Sequence, residues 1–238
     1  MGINNKLHRP SLVLLVILLL SSCAGLLGPD IKPGVSLLDS GDYKKALDHF
    51  ESLIDAEKAN AKVYRLAYES AFLAGKRITA AKHYEHAVKA GYDLDSLNNL
   101  AVDLWYNRAL MVMGRDDWKE AGKAAAQITN FAPDSKQDKF CTYILAGKKK
   151  YDRGAHKGLW DAINDYSKAS NYNPGSGLPY FLMGQARYKN DRTDYDSALE
   201  EYYKSIELEP DGFFSKQARA DIKKIEAVKK KMNAFWGK

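Results

Sequence analysis

Cysteine is scarce in this chain: two in 238 residues, Cys23 and Cys141. That excludes a disulfide framework and a four-cysteine zinc site. Long apolar runs are absent apart from residues 12–20 (LVLLVILLL). Nine residues rise only about 14 Å as a helix against roughly 30 Å of hydrocarbon, so this run cannot span a bilayer alone. Charge of one sign is not in large excess. Lys and Arg number 36 against 30 acids, a net +6 that is mild for the length and gives no argument for nucleic acid. The 45% hydrophobic and 28% charged composition is that of a folded globular protein. The length allows one domain or two small ones.

What is present begins with an address. Lys6 and Arg9 precede the apolar run with no acid among them, and small residues follow it. A basic region, a short apolar region and small residues read as a secretory leader, 1–22. Leu20-Ser21-Ser22-Cys23 resembles the lipobox of bacterial lipoproteins, a Leu-small-small-Cys tetrapeptide. The resemblance implies cleavage before Cys23 and a covalent lipid on its thiol, with an uncleaved anchor and an incidental cysteine as the alternative. Two or three acyl chains hold a protein stably where one is marginal. Ala24, where an acid would imply retention in the inner membrane, points to the outer membrane of a diderm bacterium, facing the periplasm. The outer face of the plasma membrane is the alternative. Residues 23–33, rich in Gly and Pro, read as the lipidated Cys and a tether. The Met-Gly start is no myristoylation signal, because Lys6 stands where Ser or Thr is needed.

The rest repeats. Gly41-Asp42-Tyr43 leads to Ala46, Phe50 and Leu53; Gly75 leads to Ala80, Tyr84 and Ala87. Trp118, Ala121, Ala125 and Ile128 end in Pro133. Leu159, Ala162, Tyr166 and Ala169 end in Pro174, and Tyr195, Ala198, Tyr202 and Ser205 end in Pro210. The alanine anchors are spaced 34, 41, 41 and 36. A small residue with an aromatic four later lies on one helix face, and proline cannot continue a helix. The pattern resembles the tetratricopeptide repeat (TPR), a 34-residue helix–turn–helix. The fold class is therefore expected to be all-α, a TPR-like solenoid of about five repeats over 34–211 with a capping helix over 212–238; an unrelated helical bundle is the alternative. The third repeat's seven extra residues predict a longer first helix, about 96–113. In the fourth, Gly154-Ala155-His156-Lys157-Gly158 predicts a widened turn.

In TPR proteins the fifth, ninth and twelfth positions of each repeat face a groove that holds a peptide or helix. Carried over, they are Arg65, Glu69 and Phe72; Tyr106, Leu110 and Met113; Ile144, Lys148 and Tyr151; Phe181, Gln185 and Tyr188. Aromatic anchors in a preformed groove dominate peptide recognition. The other reading packs some of these residues against the extra helical turns. Arg65 and Glu69 stand where a carboxylate clamp would have Lys and Asn, so a chaperone's acidic terminus is not the expected ligand.

The last segment is amphipathic. Phe214, Ala218, Ile222, Ile225, Val228 or Ala227, Met232 and Phe235 recur, at steps of three and four when taken through Val228. Its other face is basic, with Lys223, Lys224, Lys229, Lys230 and Lys231. This is either a solvated face or a contact for anionic lipid, peptidoglycan or an acidic partner.

No catalytic constellation stands out. His83 and His86 lie three apart without a third metal ligand. Cys141 has no neighbouring His and reads as a small apolar filler. Gly75-Lys76 lacks the first glycine and the hydroxyl of a P-loop. Asp191, Asp194 and Asp196 do not follow the EF-hand series. The expectation is a non-enzymatic lipoprotein scaffold without metal or cofactor beyond the lipid at Cys23. It would bind a protein partner of the cell envelope, and no nucleic acid, in envelope assembly. The alternative is an envelope-binding structural protein that uses the basic helix.

Overall fold

The computed structural model describes residues 28–236. The leader, Cys23 and the first residues of the tether lie outside the described residues. Within 28–236 the regular structure is helical: α1 (Lys32–Asp39), α2 (Tyr43–Asp55), α3 (Ala61–Leu73), α4 (Arg77–Lys89), α5 (Leu94–Gly114) and α6 (Trp118–Phe131). α7 (Lys136–Arg153), α8 (His156–Tyr172), α9 (Leu178–Asn190), α10 (Tyr195–Leu208) and α11 (Phe213–Phe235) follow. These are five hairpins and a terminal helix, an all-α TPR-like array. The chain divides into two compact units, with the boundary inside α5 between Leu97 and Asn98. The helix α1 already begins at Lys32, within the stretch expected to be tether.

Local chemistry sets the helix ends. Side chains of Asp42, Asn60, Asp117, Ser135 and Asp194 each accept from a backbone N–H three residues on, satisfying a donor that the helix leaves unpaired. Proline closes three helices in one way. α6, α8 and α10 stop two residues before Pro133, Pro174 and Pro210. The intervening Ala132, Asn173 and Glu209 all leave the helical region, with φ −148°, −139° and −133°. The proline ring disfavours helical backbone in the residue before it.

In the first unit α1, α2, α3 and α4 pack in chain order. Ala46, Phe50, Val63, Ala67 and Ala80 fill the core. His83 is buried on α4 with its Nε2 3.4 Å from Glu51 on α2. Burial holds its pKa below the ordinary value, and the Glu51 carboxylate acts the other way.

In the second unit each helix from α6 packs on the next, and α11 also meets α9. The alanine anchors Ala121, Ala162 and Ala198 are fully buried. At Gly147 and Gly184 a Cβ would stand 2.5 Å from the Tyr166 ring and 2.9 Å from the Tyr202 ring. Both rings are buried. Equivalent ion pairs cross these two hairpins: Lys150 to Asp165 at 2.6 Å and Arg187 to Glu201 at 2.9 Å. Burial pushes the Glu201 carboxyl up, against the opposing pull of Arg187.

The long helix expected in the third repeat is α5, of 21 residues. The widened turn of the fourth is corrected. Gly154, at φ +69°, ends α7 in the left-handed region that glycine enters without Cβ strain. Only Ala155 separates it from α8, so His156, Lys157 and Gly158 form the first turn of that helix. The extra residues lengthen α7 and α8 to 18 and 17 residues.

Two outcomes are expected. Gly147→Ala and Gly184→Ala each lower the urea midpoint, because overpacking costs about 1–3 kcal/mol while alanine returns only about 1 kcal/mol of helix propensity. Gly122→Ala on α6, where a Cβ meets nothing within 4 Å, raises it. The depressed His83 pKa gives a contribution to stability that is full above the unfolded value of about 6.5 and is lost as pH falls through the folded one. The difference in unfolding free energy between wild type and His83→Gln therefore shrinks between pH 7 and pH 5, measured by urea titration at each pH.

Candidate functional site

The second unit carries two adjoining clefts that share Tyr151 and Gln185. One, of about 370 Å³, lies among α7, α9 and α11, with Tyr151, Tyr188, Lys189, Arg192, Asp221 and Lys224 around it. The other, of about 360 Å³, is walled by Trp118, Lys148 and Gln217 and floored by Met113, Phe181 and Phe214. The floor is set by ring packing: Phe181 lies 5.7 Å from Phe214 and 5.9 Å from Tyr202, centre to centre.

Tyr151 organises the shared wall. Lys189 Nζ sits 4.2 Å from its ring centre and donates to its carbonyl oxygen at 3.1 Å. Lys148 Nζ lies 5.6 Å from the same ring and 5.2 Å from that of Trp118, while pairing with Asp152 one turn on. Cations over aromatic faces are attracted by the ring quadrupole. Burial, then the carboxylates of Asp152, Asp221 and Asp116, raise the Tyr151 pKa. Lys224 pairs with Asp221 at 3.0 Å. Arg192 is exposed at the rim.

The expected groove residues divide. Lys148, Tyr151, Gln185 and Tyr188 are half-buried and line the clefts. Met113 and Phe181 are floor, at 2% and 3% exposure, and Ile144 is wholly in the core. Ile144 is corrected as a groove-facing residue, because neighbouring helices cover its position, whereas Met113 and Phe181 face the second cleft from below. Tyr106 is held inside the fold: its hydroxyl accepts from Asn173 Nδ2 at 2.9 Å, its ring meets Phe140, and burial pushes its pKa up to about 12. Leu110 packs against the core. In the first unit Phe72 is buried, with the Arg77 guanidinium 4.0 Å over its ring, so it too is corrected. Arg65 and Glu69 pair with each other at 2.9 Å.

Of the basic residues expected on the outer face of α11, Lys223, Lys224, Lys230 and Lys231 are exposed and Lys229 is half-buried. Lys224 lines the first cleft, and Lys229 holds Asp196 of α10 at 2.6 Å, so neither stands alone on an open face. Sequence reasoning missed Trp118, Lys189, Arg192, Gln217 and Asp221. The signal for part of this set was available. Gln217, Asp221 and Lys224 have the same steps of four and three as Ile144, Lys148 and Tyr151. Carrying the groove register into α11 would have found them.

No group of three or more His, Cys, Asp or Glu positioned for a metal occurs among the described residues. His83 turns to Glu51, while His86 stacks on Tyr64 at 5.3 Å, so the pair diverges. Cys141 is buried, which pushes its thiol up to about 12 and keeps it protonated.

No protein-family description matches this chain, and no curated protein matches it. Solved structures are similar to it. One is YrrB, described as a TPR protein with an unusual peptide-binding site, at 16% identity over 79% of this chain and 88% of that one, TM-score 0.41. Another is MamA from Desulfovibrio magneticus RS-1, at 15% identity over 77% and 98%, TM-score 0.44. A third is TTC0263, a thermophilic TPR protein of Thermus thermophilus, at 15% identity over 83% and 97%, TM-score 0.38. The fold assignment itself rests on the chain's own five hairpins and their buried anchors.

Proposed function

We propose that this chain is a non-enzymatic, lipid-anchored scaffold of the bacterial envelope that holds a segment of a protein partner in the clefts among α7, α9 and α11. One observation carries the reading: residues at equivalent repeat positions, Lys148 and Tyr151, Gln185 and Tyr188, Asp221 and Lys224, converge on adjoining clefts in the second unit. Clefts of this size admit one or two side chains each. The inner one, with Trp118 and the Phe181–Phe214 floor, suits an apolar or aromatic side chain. The outer one, with Lys189, Arg192 and Lys224 against Asp221, suits an acidic neighbour.

The envelope address is a separate part of the proposal, supported by the leader, the Leu20-Ser21-Ser22-Cys23 tetrapeptide and Ala24. These favour a lipid on Cys23 and the periplasmic face of an outer membrane.

Photo-crosslinkers at Gln185 and Tyr188 in intact envelopes are expected to capture one abundant protein, with none captured from the internally bonded Tyr106. Tyr151→Ala with Gln185→Ala reduces the yield from the Tyr188 crosslinker about tenfold, the loss of a central anchor being worth roughly 1–2 kcal/mol. Equal yield from all three positions, or from the double variant, would exclude the clefts as the binding site. Labelled palmitate fed to cells is expected to enter the wild type and not Cys23→Ser, with the variant leaving the membrane fraction. Undiminished labelling of the variant sinks the anchor.

A further inference from the structure

The helix α11 carries one apolar stripe along its length. Phe214, Ala218, Ile222 and Ile225 are buried. Val228, Met232 and Phe235 continue the stripe at steps of three and four, and Trp236 lies on the same side. These four are 39%, 40%, 77% and 66% exposed. The change has a structural cause. Lys229 Nζ meets Asp196 at 2.6 Å, and α10 begins at Tyr195. Beyond that ion pair α11 has outrun the helix that covers its stripe, and residues 230–236 are exposed throughout. On the helix surface Lys224 and Lys231 border the apolar sector on one side and Lys229 on the other. Lys230 and Lys231 have no ion-pair partner among the described residues.

We propose that the free end of α11 docks on an anionic lipid surface. Met232, Phe235 and Trp236 enter the headgroup region, and Lys231, at the edge of that sector, reaches the lipid phosphates. The chemistry selects this occupant. A second copy of the chain would set these lysines against the same lysines. Peptidoglycan carboxylates would meet the charge and leave the aromatic pair in water. An anionic lipid interface satisfies both parts, since aromatic rings favour the headgroup depth and each lysine near the surface adds attraction. No helix among the described residues is long and apolar enough to cross a membrane, so the contact lies in the plane of the interface. The inference stands independently of the clefts.

The test follows Trp236 in the full chain, reading its emission as the difference between wild type and Trp236→Phe. Any contribution of residues 12–20 to vesicle binding is common to both. Vesicles of phosphatidylcholine with about 30% phosphatidylglycerol are expected to shift this emission to the blue, and acyl-brominated lipid to quench it, while phosphatidylcholine alone does neither. Lys231→Glu raises the lipid concentration needed for half the shift about tenfold, the reversal of one charge at the surface. An unchanged Trp236 signal with anionic vesicles overturns the proposal, as does an equal shift with neutral ones. A blue shift that grows with protein concentration in the absence of lipid also overturns it and assigns the face to a second copy. So does one produced only by soluble peptidoglycan, which assigns the face to the cell wall.

Discussion

Within a hairpin, one contact sets the register of everything else: a residue without bulk on the first helix lets an aromatic ring on the second lie against its backbone. Gly34 and Phe50, Gly147 and Tyr166, Gly184 and Tyr202 make this contact, with a Cβ position 2.5–2.9 Å from the ring in each case. The second hairpin lacks it: Tyr68 stands where the others have glycine and meets Tyr84 edge-on at 5.5 Å instead. Close packing of this kind tolerates little slip, because interiors are as dense as organic crystals. Lys148 and Gln185 immediately follow the two glycines of the second unit. Their direction into the clefts is a consequence of the glycine being turned to the ring.

The same constraint explains how the site is assembled from residues with other duties. Tyr151 is one turn beyond Gly147, half-buried and flanked by two lysines. Its position is held from the α7 side by the glycine contact and from the α9 side by the Lys189 bond to its carbonyl. The α11 helix caps the last hairpin with the first half of its stripe and lends Gln217, Asp221 and Lys224 to the cleft wall. Past Lys229 it has nothing left to cover. A terminal helix of 23 residues against an α10 of 14 must leave part of its surface unmatched.

Much of this architecture is legible in the residues alone. The alanine anchors, the prolines that close α6, α8 and α10, the Asp and Asn caps and the long α5 all express local backbone chemistry, which acts within four residues of its cause. The sequence register also pointed to Lys148, Tyr151, Gln185 and Tyr188. The failures share a different cause. Phe72 and Ile144 occupy groove positions by counting, yet they are core, while Met113 and Phe181 reach a cleft only as its floor. Helical period places a residue on a face without saying what covers that face.

What the sequence by itself determined, then, is the plan of paired helices: where proline stops three of them, which residue is the anchor, and that the last helix is amphipathic. Only the tertiary structure decided which lysines are free. Lys229 meets Asp196 across 33 residues, and Lys189 meets the Tyr151 carbonyl across 38. It also decided that Tyr106 is tied to Asn173, 67 residues away. Caps and proline stops are enforced by neighbours along the chain, so they can be read there. Burial and ion pairing between helices depend on distances through space, and those exist only once the hairpins have packed.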